Sequence, residues 1–148
     1  FIALRFARLD RNISAAESPG DIAGMYAVPD GVRASLKKAC YDCHSNNTAY
    51  PWYTNIQPIG WWLQHHVDEG KAELNFSEFS SYKPKRKAHK VEEVIEMVEA
   101  NEMPLKSYTL MHSAAKLTEG EKRELIMWSK AVLNTIRNKE ISNENNNL

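Results

Sequence analysis

Cys40-Tyr41-Asp42-Cys43-His44 is the stretch from which the rest of this chain is read. Two thiols three positions apart project from one helical turn, and the imidazole that follows stands on the same side. A C-x-x-C-H arrangement suits covalent attachment of a haem, because each thiol can add to one vinyl group while the imidazole reaches the iron. Cys40 and Cys43 are the only cysteines in the sequence. A tetrahedral zinc site would need a fourth ligand, usually from a second short-spaced Cys/His pair. The nearest candidates, His65 and His66, are neighbours that point to different faces of a helix. A dithiol redox motif shares the C-x-x-C spacing but belongs in a βαβ setting, and no such pattern flanks residue 40. The reading is one haem c, held through Cys40 and Cys43, with His44 as the proximal iron ligand.

The 148 residues suit one domain with enough apolar content to build a core. Basic and acidic residues balance at 19 each, so no global charge directs the chain to nucleic acid or to an anionic membrane. No internal repeat is visible, and no apolar run is long enough to span a bilayer, so a soluble domain is expected. Phe1, Ile2, Leu4 and Phe6, interrupted by Arg5 and Arg8, fit the trailing edge of a removed membrane anchor. An ordinary first strand or helical turn fits them equally well.

Outward from the motif, Val32, Leu36 and Ala39 fall on one face of a helix that Asp30 can cap and that delivers the two cysteines. Residues 1–29 before it lack a sustained period and read as an extended lead-in. After His44 comes an irregular loop, and six of the ten Trp and Tyr residues lie between Tyr41 and Trp62. Aromatics at this density, among them Trp52, Trp61 and Trp62, can wall a cofactor and offer N-H and O-H groups to its propionates. Plain core filling is the alternative for each ring. Pro58 and Gly70 bracket a predicted helix that ends near Glu69.

Lys83, Lys85, Arg86, Lys87 and Lys90 form a basic cluster that reads as a docking surface for an acidic redox partner or as a solvated loop. Val91, Val94, Ile95 and Val98 then predict a helix to about Asn101, with Glu92 and Glu93 in its first turn. Thr118 and Glu121 form a capping box, and Leu125, Trp128, Val132 and Ile136 mark the buried stripe of the last helix. Residues 139–148 are polar enough to be expected disordered.

His44 fills one axial position, so the sixth ligand decides the chemistry. A thioether there stabilises the reduced iron, whereas two histidines lower the potential. Met103 is favoured because it sits in a loop after a helix, with Pro104 stiffening the backbone. His112, in the same connecting segment, is the runner-up. Met97 and Met127 lie within predicted helices and read as filling.

The order helix, C-x-x-C-H, loop, helices, Met-Pro loop and amphipathic final helix resembles class I cytochromes c over residues 30–138. Cys43-His44-Ser45-Asn46 with Thr48, Tyr50-Pro51-Trp52-Tyr53, Pro58 and Asn75-Phe76-Ser77-Glu78 is similar to the bacterial haem-binding domain family of short c-type cytochromes. The resemblance implies an all-α, cytochrome c-like bundle around one covalent haem, with thioether links at Cys40 and Cys43 and axial ligands His44 and Met103. It also implies that the Pro58 carbonyl accepts the proximal Nδ1-H, a bond that orients the imidazole. The function it implies is single-electron transfer between redox proteins rather than enzymatic catalysis. The place is the periplasm, where haem is joined to such motifs, with tethering to the inner membrane through an N-terminal anchor. A haem enzyme or sensor with an open distal site, peroxidase-like or gas-binding, is the alternative.

Overall fold

The computed structural model describes residues 10–14 and 18–146, so the reading of Phe1 to Phe6 lies outside the described residues. Those residues form seven α-helices and no strand, the all-α class that the resemblance implies. They are α1 (Ile22–Met25), α2 (Asp30–Ala39), α3 (Tyr41–His44), α4 (Ile59–Glu73), α5 (Pro84–Glu99), α6 (Lys106–Met111) and α7 (Glu119–Asn145). Short 3-10 turns at Trp52–Asn55, Phe76–Ser81 and Ser113–Ala115 connect them. Among the described residues, no helix is long and apolar enough to cross a membrane.

The long helix α7 organises the packing: it lies along α5 and also packs against α2. Its predicted stripe is buried throughout, with Leu125 fully enclosed and Trp128, Val132 and Ile136 beside it. Val91, Ile95 and Val98 of α5, Val32 and Leu36 of α2, and Phe76 and Phe79 complete the core. Each such side chain, taken from water to full burial, contributes about 1.5–3 kcal/mol. The capping box is formed as read: Thr118 Oγ1 accepts from Glu121 N, and Thr118 N donates to the Glu121 carboxylate. Glu121 also receives Lys38 Nζ at 2.7 Å, which ties the start of α7 to the end of α2.

Several expectations are corrected. The lead-in is not wholly extended, because Asp21 caps α1 through Ala23 N and Ile22, only 1% exposed, enters the core. The Trp128 indole donates to the Ala27 carbonyl at 2.9 Å. A four-residue helix anchored by one apolar side chain leaves no period to read. Pro29, not Asp30, stands at the α2 N-cap, and Asp30 begins the helix, where its charge complements the dipole. The basic cluster is not a loop, since Pro84 opens α5 at the first-turn position and Ala88 and Lys90 are buried. Helix α7 runs past residue 138 to Asn145, so residues 139–145 are helical rather than a disordered tail. No glycine or proline follows Gly120, and elongation of an established helix adds a hydrogen bond for each residue fixed.

Candidate haem site

Helix α2 passes into α3 at Cys40, whose N-H still donates to Leu36 O while its own carbonyl receives Cys43 N and His44 N. One helical turn therefore carries both thiols and the imidazole. No disulfide joins the two cysteines, and both are half-buried. Burial pushes the Cys40 thiol up to about 12, with a smaller contribution from Cys43. Burial and the neighbouring Asp42 carboxylate push the Cys43 thiol up to about 11. Both are thiols, not thiolates, at neutral pH.

His44 is fixed by a bond the sequence reading misplaced. Its Nδ1-H donates to the Leu74 carbonyl at 2.9 Å. The Pro58 carbonyl is already used by Trp62 N-H in the first turn of α4. Pro58 opens its helix, so its oxygen points into it, whereas Leu74 lies just past the C-terminus in an extended conformation. Burial lowers the His44 pKa, opposed by the Leu74 and Gly70 carbonyls and the Glu73 charge, and Lys90 lowers it further. A neutral ring donating through Nδ1 presents the Nε2 lone pair as the coordinating atom. Phe76 meets the ring edge-on at 6.3 Å.

Gly70 does not end α4; the helix continues through it to Glu73. A Cβ at Gly70 would lie 2.5 Å from Cys43 O and 3.0 Å from Cys43 Cβ. Glycine is required where α4 presses on the attachment turn, not where the helix stops.

The loop after His44 is held by polar bonds. Ser45 Oγ donates to Tyr41 O, Thr48 Oγ1 donates to Asp42 O, and Ala49 N donates to Asp42 Oδ1. Asn12 straps it from outside: its Nδ2 donates to Ser45 O and Thr48 Oγ1, its Oδ1 accepts from Lys71 Nζ, and its N-H donates to Tyr50 OH. Sequence reasoning missed Asn12 because one asparagine in an unpatterned segment carries no local signal.

The predicted aromatic residues are not core filling. Trp52 is 76% exposed, and Trp61 and Trp62 are 38% exposed each. Trp62 packs on His66, and Trp52 meets Tyr53 edge-on. Met103 is half-buried between α5 and α6, with its N-H donating to Met97 O. Asn101, just before it, takes a left-handed turn at φ 58°.

His112 is engaged at both nitrogens. Its Nδ1-H donates to Tyr108 O at 3.2 Å, and its Nε2 lone pair lies 2.5 Å from the Tyr53 hydroxyl. The ring stacks on Tyr108 at 4.3 Å, and the Tyr108 hydroxyl donates to Asp42 inside the C-x-x-C-H motif. Asp42 and Tyr108 are further residues the sequence reading did not single out. His65 and His66 both face Glu69, away from any larger cluster: among the described residues, no group of three or more His, Cys, Asp or Glu side chains could hold a metal ion.

These residues fit a haem: two cysteines not joined by a disulfide and a neutral imidazole, anchored through Nδ1, share one turn against a helix pared to glycine at the contact. The fold and site define an all-α haem-binding protein. The chain belongs to the haem-binding domain family, whose profile matches residues 1–131. That span takes in the lead-in, in keeping with the place of Ile22 in the core. No curated protein and no solved structure matches the chain.

Proposed function

We propose that the chain is a monohaem c-type cytochrome that carries single electrons between redox proteins outside the cytoplasm. The observation that carries this reading is the His44 ring, locked by the Leu74 carbonyl on the turn that carries two cysteines not joined by a disulfide. In this reading Cys40 and Cys43 form thioethers to the haem, and His44 binds its iron through Nε2. When bound, the haem supplies a metal that gains and loses one electron. The protein holds the proximal ring still, so little has to move when the charge changes.

Met103 is the proposed sixth ligand. The Nε2 lone pair that would make His112 a ligand is directed to the Tyr53 hydroxyl instead, which favours Met103 over the runner-up. Acidic redox partners would dock near Lys83, Lys85, Arg86 and Lys87, which stand on the opening turns of α5. Lys90 is buried and paired, so it does not belong to that surface. The resemblance to membrane-tethered periplasmic cytochromes supports placement in the periplasm, tethered to the inner membrane.

Intact mass of protein matured in a bacterium competent for haem attachment is expected to exceed the polypeptide mass by one haem. A bare polypeptide mass with both thiols free would overturn the proposal. Optical spectra test the distal side: a methionine-to-iron charge-transfer band lost in Met103→Ala, with no carbon monoxide binding in the reduced parent, fits the carrier. Rapid carbon monoxide or peroxide binding by the parent would instead establish an enzyme or sensor with an open distal site.

A further inference from the structure

Lysine is rarely buried unless paired, and Lys90 is only 9% exposed. Its Nζ lies 2.6 Å from Glu93 Oε2 and 3.3 Å from Glu73 Oε2. Glu73 is the last residue of α4 and precedes Leu74, whose carbonyl takes the His44 Nδ1-H at 2.9 Å. Ammonium, carboxylate, one peptide unit and imidazole thus form a continuous path to the proximal side of the site. The other carboxylate oxygen of Glu93 is spent on exposed His89 at 3.2 Å. Lys90 is the one cation in this path, and its side chain is shielded from solvent where that of Glu73 is 78% exposed.

We propose that Lys90 is a positioning and charge residue that sets the reduction potential of the site from behind His44. Reduction adds one negative charge, so a shielded cation on the proximal side favours the reduced state and a neighbouring carboxylate disfavours it. Salt screens exposed charges strongly and shielded ones weakly, so the influence of Lys90 persists where that of surface lysines fades. The inference rests on the electron-carrier reading and deepens it. A merely structural role, tying α4 to α5, would be served by the same contacts but would not give shifts of opposite sign.

The experiment is redox titration of the haem-loaded protein at neutral pH and moderate salt, for the parent, Lys90→Gln, Lys90→Arg, Glu73→Gln and the exposed-site control Lys139→Gln. Lys90→Gln is expected to move the reduction equilibrium toward the oxidised form by about threefold to tenfold, tenfold being about 59 mV for one electron. Glu73→Gln is expected to move it the other way but by less, because that carboxylate is exposed and more strongly screened, with Lys90→Arg near the parent and Lys139→Gln unmoved. Glu73 is exposed, so its variant folds even if Lys90→Gln does not, and a Glu73→Gln shift toward the oxidised form, or none, overturns the inference. Shifts of the same sign in Lys90→Gln and Glu73→Gln also overturn it. Carbon monoxide binding by the reduced parent would defeat the electron-carrier reading while leaving these shifts readable, so the two failures are distinguishable.

Discussion

Gly70→Ala is the most direct probe of the attachment turn. The added Cβ would stand 2.5 Å from the Cys43 carbonyl oxygen and 3.1 Å from its carbon, so the obstacle is backbone that no rotamer change can clear. Overpacking of this kind costs about 1–3 kcal/mol, and the top of that range applies where neither side can yield locally. Replacing glycine within a helix returns about 1 kcal/mol. The net expectation is a loss of about 1–2 kcal/mol, or roughly 2–8 °C in Tm for a chain of this size. Gly120→Ala is the matched control: it lies in the first turn of α7, and its Cβ would meet nothing nearer than Thr118 Oγ1 at 3.8 Å. That variant should gain up to about 1 kcal/mol. Thermal unfolding of the haem-loaded protein, followed by far-ultraviolet dichroism and by haem absorbance, reads both. If Gly70→Ala proves as stable as the parent with an unchanged haem spectrum, α4 does not press on Cys43 as described.

Ser35 and Ser129 bury hydroxyls that have no hydrogen-bond partner. Ser35→Ala and Ser129→Ala should therefore each be neutral or stabilising, by up to about 1 kcal/mol in denaturant titration, and a clear loss in both would refute this. Asn12→Ala removes the bonds to Ser45, Thr48 and Lys71, so cleavage by a protease between residues 45 and 57 should become faster while the core stays intact. Burial and then Asp21 raise the Tyr41 pKa above its ordinary value of 10. The folded state thus favours the protonated phenol, and its contribution is whole below pH 10 and lost as pH climbs above it. Tyr41→Phe should flatten the alkaline fall in stability measured from pH 10 upward, and an unchanged slope would show that another group governs it. Thr118→Ala should cost about 1 kcal/mol through loss of the N-cap, read as a lower denaturation midpoint.

What could be read in advance is what short-range chemistry determines. The Thr118 and Glu121 box and the Leu125-to-Ile136 stripe depend on residues a few positions apart, and both appear as written. The C-x-x-C-H turn is equally local. The partner of His44 is not, because which carbonyl reaches Nδ1 depends on where α4 ends, and α4 ends late only because Gly70 lets it slide against Cys43. Gly70 carried a true signal with the wrong cause, close approach instead of termination. Asn12, Tyr108 and His112 act across long stretches of chain, where neither periodicity nor turn chemistry speaks.

The two sulfur-bearing residues lie where α2 meets α3, yet α2 finds its main partner in α7, whose first residue is Glu119. The turn that carries them is covered by α4 instead, so synthesis from the N-terminus leaves it uncovered until α4 has emerged and packed. Through that interval the thiols are spared the burial that suppresses their ionisation in the finished fold, so chemistry at either sulfur is easiest before α4 closes over the turn.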